Sequence, residues 1–415
     1  MSKVLWEPTY DRKKKTAMYR FMKQQGFKNY DDLYQWSINK RSLFWEELAK
    51  FCDVRFLKKQ NSTLVAGKSM LQDRWFDGAE LNFAQHLLKH SGTRPAIIFV
   101  GENDKREEIS FDELRFQVAS VAHFLKKLGL KKDDCVAAFL PNCPEAIIAM
   151  LASSSLGIIW TSCSPDFGVE GVVDRFGQIK PKLFLYSDGY YYNGKVYDSL
   201  KIAGQISNKI SSIQHEIVIP FIGKDCTNNK SSHRTYWSDI IEIDADLHFE
   251  SLPFDHPLYV LYSSGTTGSP KCIVHGAGGT LLQHLKEHIL HYDIGKDDRL
   301  FYFTTCGWMM WNWMVSGLAT GSTLVIYDGS PFYNHGSILW DLAESENITV
   351  FGVSAKYISA QEKAAIKPRS THDLSSIKTI LSTGSPLAPE SFDYVYNDIK
   401  RDIQLSSVSG GTDII

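Results

Sequence analysis

Short runs of apolar residues, separated by longer amphipathic stretches, recur along most of the chain. The clearest is Cys135-Val136-Ala137-Ala138-Phe139-Leu140, and comparable runs stand at 182–186, 216–219, 258–262, 299–303, 323–327, 348–351 and 378–381. Uninterrupted apolar runs of this length suit strands buried on both faces. Helix-length spacing between most of them predicts parallel sheets with helices on both faces. One helix is marked at both ends. Ser110-Phe111-Asp112-Glu113 reads as a capping box, in which serine and glutamate satisfy each other's end amides. Leu114, Val118, Val121, Phe124, Leu125 and Leu128 then fall on one side, and Gly129 is placed to stop the helix. Asn193-Gly194 interrupts the alternation, because that pair favours the tight turn of a hairpin.

The pattern also divides the chain. Residues 1–85 are rich in aromatic and charged side chains, with helical patterning around 30–52. Leu33, Trp36, Leu43, Phe44 and Leu48 there supply a face expected to dock on a larger body. Residues 86–225 read as a first α/β subdomain and residues 250–415 as a second. The polar, turn-rich stretch at 227–234 marks the expected boundary. Internal repeats and low-complexity tracts are absent from the sequence.

Composition narrows the class without changing the picture. The chain has 415 residues, 43% hydrophobic and 22% charged, which is enough to bury two lobes of a globular protein. A formal charge of -2 gives no long-range field toward nucleic acid or an anionic membrane, so neither is expected as a partner. The basic run Arg12-Lys13-Lys14-Lys15 reads as a solvated face. Seven scattered cysteines (Cys52, Cys135, Cys143, Cys163, Cys226, Cys272, Cys306) form no Cys-x-x-Cys pair and fit a reducing compartment. No apolar run resembling a signal peptide opens the sequence. The most apolar stretch, 146–160, is broken by three serines and Gly157 and falls short of the ~20 residues that span a bilayer. A cytosolic location is expected. His284, His288 and His291 share a helical face with Glu287 nearby, but no fourth ligand or motif accompanies them, so a packing or solvated role is expected.

The chemistry concentrates after one strand. Tyr262-Ser263-Ser264-Gly265-Thr266-Thr267-Gly268-Ser269-Pro270-Lys271 follows the apolar run directly. Two glycines let the backbone turn and present amides, hydroxyls add donors, and Lys271 supplies charge. Those are the parts needed to hold a polyphosphate. The order departs from a Walker A loop, since Pro270 precedes the lysine and Cys272 follows it.

This loop resembles that of the adenylate-forming superfamily, which includes acyl-CoA synthetases, luciferases and peptide-synthetase adenylation domains. Three further segments resemble motifs of the family in matching order. Pro141-Asn142-Cys143-Pro144-Glu145 is similar to a motif that opens a helix, and Gly384-Ser385-Pro386-Leu387 to the segment along the adenine. Ser409-Gly410-Gly411-Thr412-Asp413 resembles the motif whose threonine meets phosphate and whose acidic residue helps bind magnesium. Asp413 stands where the family usually has glutamate. The resemblance implies two stacked α/β subdomains with largely parallel sheets, a small β-barrel and a mobile C-terminal domain. Residues 75–84, 161–168 and 304–312 are similar to the acetate- and acetoacetate-activating branch, with Gly307-Trp308 matching a Gly-Trp beside the acyl pocket. Where acetate-specific relatives close that pocket with tryptophan, this chain has Gly410, which implies room for a larger acid such as acetoacetate. Ordinary core packing is the expectation for Trp311.

The reaction so implied is attack of a carboxylate on the α-phosphate of ATP, with Mg2+, followed by transfer of the acyl group to coenzyme A. Ser263, Ser264, Gly265, Thr266, Thr267, Gly268 and Lys271 are expected at the β- and γ-phosphates. Thr412 is expected at the α-phosphate with Ser409, Gly410 and Gly411 beside it, Asp413 at the metal, and Gly384, Ser385 and Pro386 at the adenine. Trp308 and Gly410 are expected to shape the acyl pocket. The family's ribose-binding aspartate, hinge residue and C-terminal catalytic lysine come later than Ile415. The sequence therefore reads as a shortened enzyme, with β-barrel and C-terminal domain incomplete or absent and weak adenylation by itself. The reading of another class is a non-catalytic nucleotide-binding fragment that associates with a full-length partner.

Overall fold

The apolar runs become strands, and chain order alone does not decide which sheet each one joins. The structure is a computed structural model that describes residues 4–224, 232–263, 268 and 270–414. In chain order the main strands are β1 (Pro95–Gly101), β2 (Arg106–Ser110), β3 (Cys135–Phe139), β4 (Ile159–Cys163), β5 (Leu183–Ser187), β6 (His215–Ile219) and β7 (Arg234–Tyr236). They continue with β8 (Pro257–Ser263), β9 (Lys271–Gly276), β10 (Arg299–Tyr302), β11 (Thr323–Asp328), β12 (Val350–Ser354), β13 (Thr379–Thr383) and β14 (Gln404–Ser407). Two 7-stranded sheets result, ordered β7-β6-β5-β3-β4-β8-β9 and β14-β13-β12-β10-β11-β1-β2. Both are parallel except at one edge, where β8–β9 and β1–β2 pair antiparallel.

The division at 86–225 and 250–415 cuts across both sheets. β1 pairs with β11, in the register Ile97 opposite Leu324, and so lies with the late strands. β8 joins the early sheet beside β4. The polar stretch at 227–234 does not separate lobes either, because β7 follows it and pairs with β6 in the same sheet. Residues 225–231 lie outside the described residues. Local composition marks a loop but carries no information about which distant strand its neighbours will pair with.

The helices follow their signals closely. α1 (Phe111–Lys127) carries the capping box, with Ser110 Oγ accepting from Glu113 N and Glu113 Oε2 accepting from Ser110 N at 2.7 Å. Such a cap is worth about 1 kcal/mol. Leu114, Val118, Val121 and Leu125 are buried, and Gly129 closes the helix at φ +81°. α2 (Pro144–Ser155) starts with proline in its first turn, where the missing N–H costs nothing. Every residue of α2 except Glu145 is buried. Its core cluster includes side chains of both sheets, such as Ile97, Val136, Leu300 and Leu324. The most apolar stretch of the sequence is thus an internal helix and the strand after it. Among the described residues no helix is long and apolar enough to cross a membrane.

The N-terminal helices pack their apolar side chains into and against the main core cluster. Leu33 and Leu48 are buried, and Phe44 packs edge-on and Trp36 tilted against the fully buried Phe21. Leu43 faces solvent, since neighbouring Phe44 takes the inward position. The Asn193-Gly194 hairpin also forms, with Lys195 opposite Tyr192 and both turn residues at positive φ. Among the described residues no closed barrel is formed.

Candidate functional site

In a parallel sheet every strand delivers its following loop to the same edge, and that edge is where ligands bind in open α/β folds. In the second sheet this edge carries Thr304–Trp308 after β10, Asp328 ending β11, Gly384–Pro386 after β13, and Ser409–Asp413 after β14. The first sheet delivers Leu140–Cys143 after β3, Ser164–Gly168 after β4, and the phosphate-loop candidate after β8. Among the described residues, the sequence-predicted positions other than Ser263 and Lys271 therefore lie on loops at the carboxyl ends of strands.

The two edges face each other and are tied together by buried hydrogen bonds. Asn142 uses its whole side chain: Nδ2 donates to Thr304 O and Tyr327 O, and Oδ1 accepts from Trp311 Nε1 at 3.0 Å. Ser162 Oγ donates to Cys306 O at 2.6 Å, and Cys306 Sγ donates to Leu140 O. Trp311 is fully buried, a core residue as its sequence position predicts. Trp308 differs: it stands 65% exposed at the start of α3 (Met309–Val315). Gly307 beside it approaches the first sheet's loop so closely that a Cβ would lie 3.1 Å from Ser164 N.

Two carboxylates absent from the sequence-based prediction sit on the same seam. Asp328 accepts from Asn142 N at 2.8 Å. Burial pushes its carboxyl up to about 7, the Asn142 N–H pulls the other way, and the charges of Glu102 and Asp166 add to the rise. Glu102, also buried, accepts from Asn193 N and Gly194 N of the hairpin and from Ser330 N at 2.6 Å. It clasps the hairpin of one lobe to the loop after β11 of the other.

At the phosphate-loop candidate, Ser263 and Lys271 are direct partners across the β8–β9 ladder. Ser264, Gly265, Thr266, Thr267 and Ser269 lie outside the described residues. Gly268 has φ +100°, a conformation that L side chains rarely adopt. Gln178 braces the return of the loop, donating to Pro270 O at 2.9 Å. Lys271 is exposed.

The Gly384 and Thr412 segments run side by side. Thr383 Oγ1 donates to Val408 O, Val408 N to Ser382 O, and Leu387 N to Ser407 Oγ. Gly384 has φ +88°. The segment with Ser409, Gly410, Gly411 and Thr412 then reaches β9, where His275 Nε2 lies 2.7 Å from Thr412 O. Lys271 and His275 are four residues apart on a regularly paired strand, so they share one face about 13 Å apart. The Thr412 segment thus sits on the strand that carries Lys271. Asp413 is exposed, and its Oδ1 lies 2.6 Å from where a Cβ on Gly411 would stand. His275 and Asp413 line a cavity of about 550 Å³ that extends to the 75–80 stretch, Asp255 and Thr280.

An exposed carboxylate beside a threonine suits a magnesium ion, which takes one or two protein carboxylates and completes its shell with phosphate and water. The grouped histidines do something else. His284 Nδ1 lies 2.7 Å from Ser316 Oγ, and His288 Nε2 lies 2.9 Å from Trp313 O with its ring on that indole. Burial drives His288 and His291 down to about 4 and His284 well below its usual range. His284 and His288 are neutral core residues. His275 was missing from the sequence-based set, although strand alternation from Lys271 points to it.

A family model described as AMP-binding enzyme matches residues 83–412, and one described as acetyl-coenzyme A synthetase N-terminus matches residues 30–87. The chain is 47% identical to acetoacetyl-coenzyme A synthetase of Rhizobium meliloti (strain 1021), over 99% of this chain and 64% of that one. It is 45% identical to acetoacetyl-CoA synthetase of Macaca fascicularis, covering 99% and 63%, and 40% identical to malonamoyl-CoA synthetase vrtB of Penicillium aethiopicum, covering 99% and 62%. The solved acetoacetyl-CoA synthetase from Streptomyces lividans superposes with a TM-score of 0.95 at 40% identity, over 99% of this chain and 65% of that one. The chain spans just under two thirds of the length of these relatives. With a family model matched across both sheets and the Thr412 segment, the chain belongs to the AMP-binding enzyme family.

Proposed function

We propose that this chain is the nucleotide-binding part of an enzyme that activates acetoacetate with ATP as acetoacetyl-adenylate. The enzyme then passes the acyl group to the thiol of coenzyme A. One observation carries the reading: Lys271, at the carboxyl end of β8, and His275, which holds the Thr412 segment, stand on one face of β9 about 13 Å apart. The acid is argued from Gly410, which leaves open the place that tryptophan fills in acetate-specific relatives, and from the relatives named acetoacetyl-CoA synthetase. Malonamoyl-CoA synthetase, at 40% identity, gives a second reading in which the acid is another short, polar one. Scattered cysteines agree with a cytosolic location.

The acetoacetate carboxylate is already anionic, so the protein's task is alignment and charge stabilisation. Lys271 and the donors from Ser263 to Gly268 hold the β- and γ-phosphates of the leaving pyrophosphate. Thr412 donates to the α-phosphate, where negative charge gathers as the carboxylate attacks. Gly384, Ser385 and Pro386 lie along the adenine, with no bulky side chain before the proline. Asp413 would hold magnesium, which when bound offsets charge on the departing pyrophosphate. Trp308 and the open position at Gly410 bound the acyl group.

ATP–pyrophosphate exchange tests this. Exchange should depend on acetoacetate more than on acetate or butyrate, and Lys271→Ala should lower it by about a hundredfold, as removal of a charge-stabilising donor does. Exchange indifferent to the acid, or unchanged by Lys271→Ala, would contradict the proposal.

A further inference from the structure

The geometry points to His275 as a positioning residue that acts through Thr412: its imidazole fixes the threonine segment at a set distance from Lys271. This rests on the adenylating function proposed above and assigns a role to a side chain outside the motifs.

The atoms leave little freedom. Thr412 O accepts, so the proton of the ring must be on Nε2, 2.7 Å away. Burial lowers the imidazole pKa, against the pull of the Thr412 carbonyl and the Asp413 charge, so the ring is neutral and carries a single N–H. Tyr259, buried and directly opposite on β8, holds the ring plane, with centroids 5.4 Å apart and 40° between planes. His275 is therefore a fixed donor on the rigid strand that ends the phosphate loop.

What it holds has few other anchors. β14 ends at Ser407, and the Val408 amide and carbonyl still bond to the β13 edge. Ser409, Gly410 and Gly411 then run without regular structure, and the two glycines offer no side chain to pack. Ile414 N donates back to Gly411 O, which closes a local turn but does not tie it to the body. Among the described residues, its side-chain tie to the other sheet is the His275 donor. A threonine hydroxyl aimed at an α-phosphate loses effectiveness with displacement of an ångström, so a mobile segment would cost rate rather than overall fold.

The test compares His275→Gln, whose amide reaches the place of Nε2, with His275→Asn and His275→Ala, whose side chains fall short. Each is made alone and combined with Thr412→Ala. Readouts are acetoacetate-dependent ATP–pyrophosphate exchange at saturating ATP and hydrogen exchange of residues 408–414. The expected result is a loss of about tenfold or more in exchange rate for Asn and Ala, with most of it restored by Gln. Hydrogen exchange at 408–414 should be faster in Asn and Ala. Thr412→Ala alone should equal Thr412→Ala with His275→Ala, because the histidine acts through the threonine. Multiplying effects in the double variant, or unchanged hydrogen exchange at 408–414, would overturn the role while leaving the adenylating function intact. Loss of exchange in wild type as well as in Lys271→Ala would sink the functional reading and this role together.

Discussion

His86 shows how a single buried side chain sets a measurable property of the chain. Its Nε2 accepts from Arg55 N at 2.9 Å, so Nδ1 carries the proton and donates to Asn82 O at 2.8 Å. Both ring nitrogens are used, and a second proton has no place to go. Burial pushes its pKa down to about 4, below the ordinary value near 6.5. The unfolded chain therefore binds more protons than the folded one between those values. Stability from this group is full above about pH 6.5 and is lost as pH falls toward 4, at about 1.4 kcal/mol per unit. His86→Gln removes the titrating group. Urea unfolding from pH 4.5 to 7 should show a pH slope shallower by about one proton than in the parent chain. Equal slopes would mean that His86 does not titrate as its surroundings require. At this scale the sequence was only partly legible. Trp311 was readable as a core residue because ordinary core packing is what a large indole does by default. His275 and Asp328 were not, because their roles come from partners more than a hundred residues away.

At the scale of elements, local signals translated well and pairing signals did not. Ser110 and Glu113 placed the start of α1, and Asn193-Gly194 placed the hairpin, because both are settled by neighbours in sequence. The membership of β1 in the later sheet was invisible, since every strand of the first sheet lies between Ile97 and Leu324 in sequence. Glu102, just after β1, then joins the lobes by accepting from three backbone amides. Glu102→Ala would strip a buried charge-assisted acceptor from those amides and should cost about 3 kcal/mol of stability. Hydrogen exchange should locate the loss at 189–198 and near Ser330. A loss spread evenly, or none, would show that the clasp is incidental.

For the molecule as a whole, the candidate site was legible as a set of motifs but not as an arrangement. Each motif could be placed at the end of a strand, because apolar runs precede them. That the two sheets turn those ends toward each other follows from tertiary packing around α2, which no motif encodes. In the proposed function the acyl end of the site depends on the absence of a side chain at Gly410. Gly410→Trp should close it, lowering kcat/KM for acetoacetate relative to acetate by about tenfold or more. An unchanged ratio would move the acyl pocket elsewhere. The central claim, a site built on β9 and the Thr412 segment for an acetoacetyl-adenylate, is tested most directly by isothermal titration with hydrolysis-resistant acyl-adenylate analogues. The account predicts saturable binding of the acetoacetyl analogue, about tenfold or more tighter than the acetyl analogue and weakened by Thr412→Ala. No saturable binding, or preference for the acetyl form, would contradict it.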